Sequence, residues 1–195
     1  LTVLDRRRDP LAWVHAQMNL GAALQALGHR LRDTAQITKA VLAYRDVMGV
    51  VDHERAPMES AGAENNLGNA LLSLGIIQDN NSRLTEAAIA FRAALEVFTP
   101  ARASYSWANT TTNLGITMQA LGEREAGTKS LEAAAAAYRS VLKVMREGAI
   151  AQDARFRLEA AEQEIVRRSG ASPQVHHESS PSTIGMHTQD WMRTK

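Results

Sequence analysis

The chain has no cysteine and few aromatic residues. Without cysteine there can be no disulfide framework, no thiolate metal site and no cysteine nucleophile, which fits a reducing compartment. Aromatic residues make up 5% of the sequence, whereas hydrophobic residues as a whole make up 45%. Because alanine and leucine supply most of that apolar content, the composition favours helices packed through small side chains over an aromatic-rich sheet.

An excess of charge of one sign is also absent. Lys and Arg number 22 against 21 Asp and Glu, which gives a formal net charge of +1 at pH 7. Such a balanced chain lacks the long-range attraction that draws proteins to phosphate backbones and anionic lipids, so we expect neither a nucleic acid nor a membrane as partner. No apolar run approaches the roughly 20 residues of a membrane-spanning helix. We therefore expect a soluble, cytoplasmic protein, and because residue 1 is Leu, we expect a piece of a longer chain.

What the sequence does contain is a repeat of 47 residues. The triplet Asn-Leu-Gly begins at Asn19, Asn66 and Asn113, and both intervals (66 − 19 and 113 − 66) equal 47. A Leu-Gly pair and an Ala-aromatic-Arg triplet recur at the same interval, and the alignment needs no gap between residues 10 and 147. A constant period of this length indicates one supersecondary unit stacked on the next.

Each unit has the apolar spacing of two amphipathic helices. In the first half of unit 1, Leu20, Leu24 and Leu27 fall on one helical face. The second half has a longer face with apolar residues three and four positions apart, and units 2 and 3 repeat both patterns. The members of this face in unit 1 are Ile37, Ala40, Val41, Tyr44, Val47, Met48 and Val51.

Two glycines recur in every unit. The later one, Gly28 in unit 1, follows the first apolar stripe and is predicted to be the left-handed C-cap of the first helix. The earlier one, Gly21, falls inside the stripe, where glycine costs about 1 kcal/mol relative to alanine. We expect it to permit the close approach of two helix backbones. The counterparts are Gly75 and Gly122 for Gly28, and Gly68 and Gly115 for Gly21.

Prolines and capping residues predict where helices begin. Pro10 and Pro57 are expected to open the first helices of units 1 and 2, whereas Pro100 is expected to end the helix before unit 3. Asp33, followed three residues later by Gln36, resembles a capping box at the start of the second helix. The corresponding starts in units 2 and 3 are predicted at Ser82 and Thr128.

The repeated residues resemble the signature of the tetratricopeptide repeat family, which places Leu-Gly in the first helix and Ala, an aromatic residue and Ala in the second. In unit 2 these are Leu67-Gly68, Ala87, Phe91 and Ala94. The unit is longer than the family's usual length of about 34 residues, as in the long repeats of bacterial proteins and of kinesin light chains. The resemblance implies an all-α, right-handed solenoid of stacked antiparallel helix pairs. The family's early Trp is replaced by Gln17, Glu64 and Thr111.

The register divides the chain into segments. Residues 1–9 match residues 48–56, residues 149–169 have one apolar helical side, and the residues from Gly170 onward have no periodic apolar face. The predicted segments are the end of a preceding repeat (1–9), three repeats (10–56, 57–103 and 104–148), a C-terminal capping helix (149–169) and a flexible tail (170–195).

Polar residues beside the apolar stripe of the first helices are the candidate binding site. The amides of Asn19, Asn66 and Asn113 recur in register, and an amide can pair with the backbone of an extended peptide through both its donors and its acceptor. Alternatively, each amide bonds a neighbouring helix and fixes how the units stack. The resemblance supports the first reading, because asparagines at this position line a peptide groove in O-linked N-acetylglucosamine transferase. Further candidates are His15, Asn65, Asn69 and Asn109, whereas Glu64 is expected to be solvated.

No catalytic pattern is found in the sequence. A phosphate-binding glycine loop, a zinc-binding H-E-x-x-H and a G-x-S-x-G elbow are all missing. His15, His29 and His53 do not recur between units and have no obvious nucleophile or metal as partner. We therefore expect no enzyme activity, no metal and no cofactor.

Three functions are compatible with this pattern. The first is a protein-interaction scaffold that binds a peptide or a helical segment on the inner surface of the solenoid. The second is the sensor arm of a larger signalling protein whose catalytic domain lies outside these residues. The third is self-association, through an N-terminal face that lacks a complete capping repeat.

Overall fold

The computed structural model describes residues 6–170, and within that range every regular element is an α-helix. The seven helices are α1 (Pro10–Leu31), α2 (Thr34–Met48), α3 (Pro57–Ile77), α4 (Asn81–Val97), α5 (Pro100–Arg124), α6 (Lys129–Val144) and α7 (Ala149–Ser169). The predicted all-α class is confirmed. None of these helices combines the length and apolarity needed to cross a membrane. Residues 1–5 and 171–195, including nearly all of the predicted flexible tail, lie outside the described range.

The first helices of units 1 and 2 begin where proline predicts. α1 starts at Pro10 and α3 at Pro57, where the missing N–H has no partner to lose. The start of α2 also matches the prediction. The Oδ1 of Asp33 accepts a hydrogen bond from the Ala35 N–H at 2.9 Å, and the Gln36 side chain donates to Oδ2 at 3.1 Å.

Pro100 follows the end of α4, as predicted, but it also begins a helix, which was not predicted. α4 ends at Val97, and α5 begins at Pro100. Thr99 caps α5, because its hydroxyl oxygen accepts a hydrogen bond of 3.2 Å from the Arg102 N–H. The backbone of Ala103 is non-helical (φ −152°, ψ 63°). α5 therefore carries an extra turn before Ser104, the register position that corresponds to Pro57 (104 − 57 = 47).

The second helices of units 2 and 3, α4 and α6, begin with different capping residues. Asn80, and not Ser82, caps α4, because its Oδ1 accepts a hydrogen bond from the Arg83 N–H at 3.2 Å. α6 does begin after Thr128, as predicted. The Thr128 hydroxyl donates a hydrogen bond to Glu132 Oε1 at 2.7 Å and does not cap a backbone N–H.

Consecutive helices pack against each other along the whole described chain. Burial of a large apolar side chain contributes about 1.5–3 kcal/mol, so the apolar clusters between helices dominate stability. The largest cluster joins α2, α3 and α4, with the partly buried Leu24 of α1 and Leu114 of α5 at its edges. Its large buried members are Ile37, Val41, Tyr44, Leu67, Leu71, Leu72, Leu74, Leu84 and Phe91.

An aromatic ring from the second helix lies on the earlier glycine of each unit. A Cβ added to Gly68 would lie 2.6 Å from Phe91 Cε1, closer than real Cβ contacts come. The prediction that two backbones meet here is therefore wrong, because a side chain occupies the space. The same contact joins Gly21 to Tyr44 (2.5 Å) and Gly115 to Tyr138 (2.5 Å).

The later glycines are also packing residues, so their prediction as left-handed caps is wrong. α1 continues beyond Gly28 to Leu31, and a Cβ on Gly28 would lie 2.5 Å from Ile37 Cγ1. The residues with positive φ that follow α1 and α3 are instead Arg32 (φ 53°) and Asp79 (φ 50°). The equivalent contacts are Gly75 with Leu84 (2.6 Å) and Gly122 with Leu131 (2.8 Å).

α7 occupies the place of a fourth first helix. It packs on α6 and contacts α5, just as α5 packs on α4 and contacts α3. Glu162 stands at the register position of Gly115 (162 − 115 = 47). Its carboxylate pairs with Arg139 of α6 at 2.6 Å. A charged side chain is compatible with this position because no aromatic ring from a following helix lies on it within the described residues.

Candidate functional site

The four helices α1, α3, α5 and α7 contact one another in that order, although a second helix separates each pair in the chain. We call the surface that they form the first-helix face. All residues that the sequence predicted as binding candidates lie on three of these helices. They are His15 and Asn19 on α1, Asn65, Asn66 and Asn69 on α3, and Asn109 and Asn113 on α5.

Amide hydrogen bonds connect α3 to α5 across this face. Asn113 Nδ2 donates to Asn69 Oδ1 at 2.9 Å and to Asn109 Oδ1 at 3.0 Å. Thr110 Oγ1 donates to Asn65 Oδ1 at 2.9 Å. Asn113 therefore joins α5 to α3 through Asn69, which for this one residue is the structural alternative that the sequence left open, whereas its bond to Asn109 lies within α5. The Oδ1 of Asn113 accepts no hydrogen bond within the described residues, so a ligand donor can still reach it.

The α1 side of the face leaves its polar groups open. Asn19 and His15 are exposed, and within the described residues neither side chain has a hydrogen-bond partner. Asn66 is half-buried, and its Oδ1 accepts a hydrogen bond of 3.3 Å from Asn65 Nδ2. The side-chain nitrogen of Asn66, Nδ2, has no hydrogen-bond partner within the described residues. Donors and acceptors are thus available at both Asn19 and Asn66.

A row of exposed apolar side chains, which the sequence pattern alone does not indicate, runs beside these amides. Leu11, Met58 and Tyr105 stand one unit apart (58 − 11 = 47 and 105 − 58 = 47). Their exposed fractions are 47%, 40% and 67%. We call these three residues the apolar row. Their common register was visible in the sequence, but only structure shows that they lie outside the buried stripes.

Two recesses lie between neighbouring first helices at equivalent positions. The first, of about 490 Å³, lies between α1 and α3, and the second, of about 220 Å³, lies between α5 and α7. A shift of two units (94 residues) takes Asn19 to Asn113 and Glu59 to Asp153. The first is lined by Val14, His15, Met18, Asn19, Met58, Glu59 and Gly62, and the second by Asn109, Thr112, Asn113, Ala149, Ile150 and Asp153.

The loop between α2 and α3 holds a histidine between two carboxylates. His53 Nε2 lies 2.9 Å from Glu64 Oε2, and Nδ1 lies 3.7 Å from Glu96 Oε2. Glu64 is only 6% exposed, so the expectation that it is solvated is wrong. Burial raises the pKa of Glu64, and the hydrogen bond with His53 partly opposes that rise.

The register position of His53 also makes a contact in the unit before, where Arg6 precedes α1. Arg6 precedes His53 by one unit (53 − 6 = 47). Its Nη2 donates to the Gly49 carbonyl oxygen at 2.7 Å, and its guanidinium carbon lies 5.3 Å from the centroid of the Trp13 ring. Gly49 in turn holds the register of Glu96 (96 − 49 = 47). The histidine contact is therefore one form of a recurring link between a loop and the end of a second helix. Among the described residues, no three His, Asp or Glu side chains form a group that could hold a metal ion.

Comparison with family models, with curated proteins and with solved structures finds no match for the chain. The resemblance to the tetratricopeptide family therefore stays a prediction from the repeated residues. The described residues establish an all-helical repeat whose first-helix face carries recurring amides, the apolar row and two equivalent recesses.

Proposed function

We propose that the chain binds an extended segment of another protein across the first-helix face, by binding alone and without catalysis. In this proposal the helix pairs form a right-handed solenoid of the tetratricopeptide kind, and the first-helix face is its concave side. The observation that carries the proposal is the apolar row, since Leu11, Met58 and Tyr105 remain exposed at one register position in all three units.

The amides complement the apolar row. Asn19, Asn66 and Asn113 follow the row residues by eight positions in each unit (19 − 11, 66 − 58 and 113 − 105). Eight residues are just over two helical turns, so row and amides share one side of each helix. Apolar contact would supply affinity, while the free amide groups would pair with the N–H and C=O groups of the bound backbone.

Helix spacing defines the form of the bound segment. Packed helices lie about 8–10 Å apart, and an extended chain advances about 3.3 Å per residue. One residue in three would therefore reach successive members of the apolar row. We expect ligands with apolar side chains at every third position.

The experiment is a peptide-display selection on the immobilised 195-residue chain, followed by calorimetry with the selected peptides. Met58→Ala and Tyr105→Ala are each expected to weaken binding by roughly tenfold, because each removes a large apolar contact. The matched control is Ile89→Ala, since Ile89 is 60% exposed on α4, outside the first-helix face. Unchanged affinity in both row variants, or equal loss in the control, would reject the proposed surface.

A second candidate function is self-association, which a leucine stripe on α1 favours. Leu20, Leu27 and Leu31 are 48%, 38% and 59% exposed. The counterparts of the first two, Leu67 and Leu74, are 6% and 1% exposed because they belong to the core shared with α2. The stripe on α1 therefore has the chemistry of a face that another helix covers.

Sedimentation velocity over a range of concentrations tests this candidate. Association through the stripe predicts a concentration-dependent dimer that Leu27→Glu abolishes. Leu42→Glu introduces the same change on α2, where Leu42 is 55% exposed, and should leave the dimer intact. A chain that sediments as a monomer at every concentration would exclude self-association.

A further inference from the structure

The recess between α1 and α3 combines apolar walls with polar groups that lack a partner. Val14, Met18 and Met58 supply the apolar surface. Glu59 is half-buried, and within the described residues its carboxylate has neither an ion pair nor a hydrogen bond. Asn19, on the opposite helix, is also without a partner there. A partly desolvated carboxylate attracts a cation more strongly than a fully hydrated one does, because the local dielectric constant is lower.

The equivalent recess shows what such a carboxylate pairs with in this fold. Asp153 stands two units after Glu59 (153 − 59 = 94). Its Oδ2 lies 2.8 Å from Arg157 Nε, one helical turn further along α7. The counterpart of Arg157 on α3 is Ala63 (157 − 63 = 94), which is fully buried. The fold therefore provides a guanidinium for Asp153 and none for Glu59.

From these observations we propose that the recess between α1 and α3 selects a basic side chain, Arg or Lys, of the bound segment. This inference rests on the proposed function, which it makes more specific. The aliphatic stem of the basic residue packs on Met18 and Met58, and its charged head pairs with Glu59. The Oδ1 of Asn19 accepts a further hydrogen bond from the same head. The volume of about 490 Å³ leaves room for such a side chain, whereas the second recess has about 220 Å³.

Glu59 also has a structural role that the test must separate from selection. It lies in the first turn of α3, where a carboxylate interacts favourably with the helix N-terminus. That role concerns folding and predicts no preference for any ligand. Ligand selectivity, measured beside thermal stability, therefore distinguishes the two roles.

The experiment uses the 195-residue chain and short peptides, acetylated and amidated, with one position fixed in turn as Arg, Lys, norleucine or Glu. Wild type is expected to prefer Arg and Lys at one position. Glu59→Gln is expected to weaken the basic peptides by roughly tenfold, about 1.4 kcal/mol, and to leave the norleucine peptides unchanged. Glu54→Gln is the matched control, since it removes the same charge from an exposed loop residue that does not line the recess.

Each outcome decides between the proposals. Loss of the basic preference in Glu59→Gln but not in Glu54→Gln supports the inference, because the small fall in the unfolding midpoint that the lost helix interaction predicts would not alter ligand preference. If wild type binds norleucine and basic peptides equally, or if Glu59→Gln keeps the basic preference, the inference is wrong while the proposed function stands. If no peptide binds wild type, the proposed function fails and this inference fails with it.

Discussion

Phe91 and Gly68 show how a single position fixes the geometry of a unit. The phenyl ring is fully buried, and three of its carbons lie within 2.9 Å of the place where a Cβ on Gly68 would stand. An amphipathic pattern alone indicates that two helices pack, but not how deeply. The depth depends on the missing side chain, which explains why glycine recurs at this point although it weakens the helix.

Gly68→Ala and Gly62→Ala, both within α3, are expected to have opposite effects on stability. Alanine at 68 overpacks against the ring at a cost of about 1–3 kcal/mol, which exceeds the gain in helix propensity of up to about 1 kcal/mol. Alanine at 62 meets only Met18 Cε at an ordinary 3.6 Å, so it should stabilise by up to about 1 kcal/mol. Urea unfolding of both variants measures the difference. Shifts of the same sign would contradict this account of the glycines.

Glu64→Gln tests the buried carboxylate beside His53. Burial raises the pKa of Glu64 in the folded state, so the folded chain binds its proton more readily than the unfolded chain does. The stabilising contribution of this group is therefore present below the unfolded pKa and is lost as the pH rises through the folded pKa. The Gln variant should gain stability relative to wild type near neutral pH and lose that gain at roughly pH 4. Urea midpoints at both pH values measure this; a gain confined to acid would refute it.

At the scale of helices, the sequence predicted which segments are helical far better than it predicted the residues at which each helix begins and ends. The period of apolar residues depends only on which side of a helix is buried, so α1 to α7 were all expected. The ends depend on local hydrogen bonds that several residues could satisfy. Asn80 rather than Ser82 caps α4, and α1 continues past Gly28 because the glycine is needed for contact with Ile37.

Leu74→Ala and Leu27→Ala compare the same register position in two first helices. Leu74 is 1% exposed within the core shared by α2, α3 and α4, so its truncation should cost about 2–5 kcal/mol. Leu27 is 38% exposed on α1, and its truncation should cost about 1 kcal/mol. Chemical denaturation of the 195-residue chain gives both values. Equal losses in the free energy of unfolding would mean that Leu27 on α1 is as well covered as Leu74 on α3.

For the molecule as a whole, the repeat predicted which helices share a surface, but not which of its groups are free. Asn69 and Asn113 looked like equal candidates for ligand binding, yet they bond each other across α3 and α5. Glu59 was not a candidate, because a lone carboxylate in the first turn of a helix carries no signal. Its relevance emerges only when Asp153, its counterpart, is seen paired with Arg157.

The central claim is that an extended segment lies along the first-helix face in register with the repeat. Side-chain amide resonances of asparagine test it directly when the isotopically labelled 195-residue chain is titrated with a selected peptide. The account predicts that the signals of Asn19, Asn66 and Asn113 shift together, while those of Asn80 and Asn81, at the start of α4, stay in place. Shifts confined to Asn80 and Asn81 would contradict it.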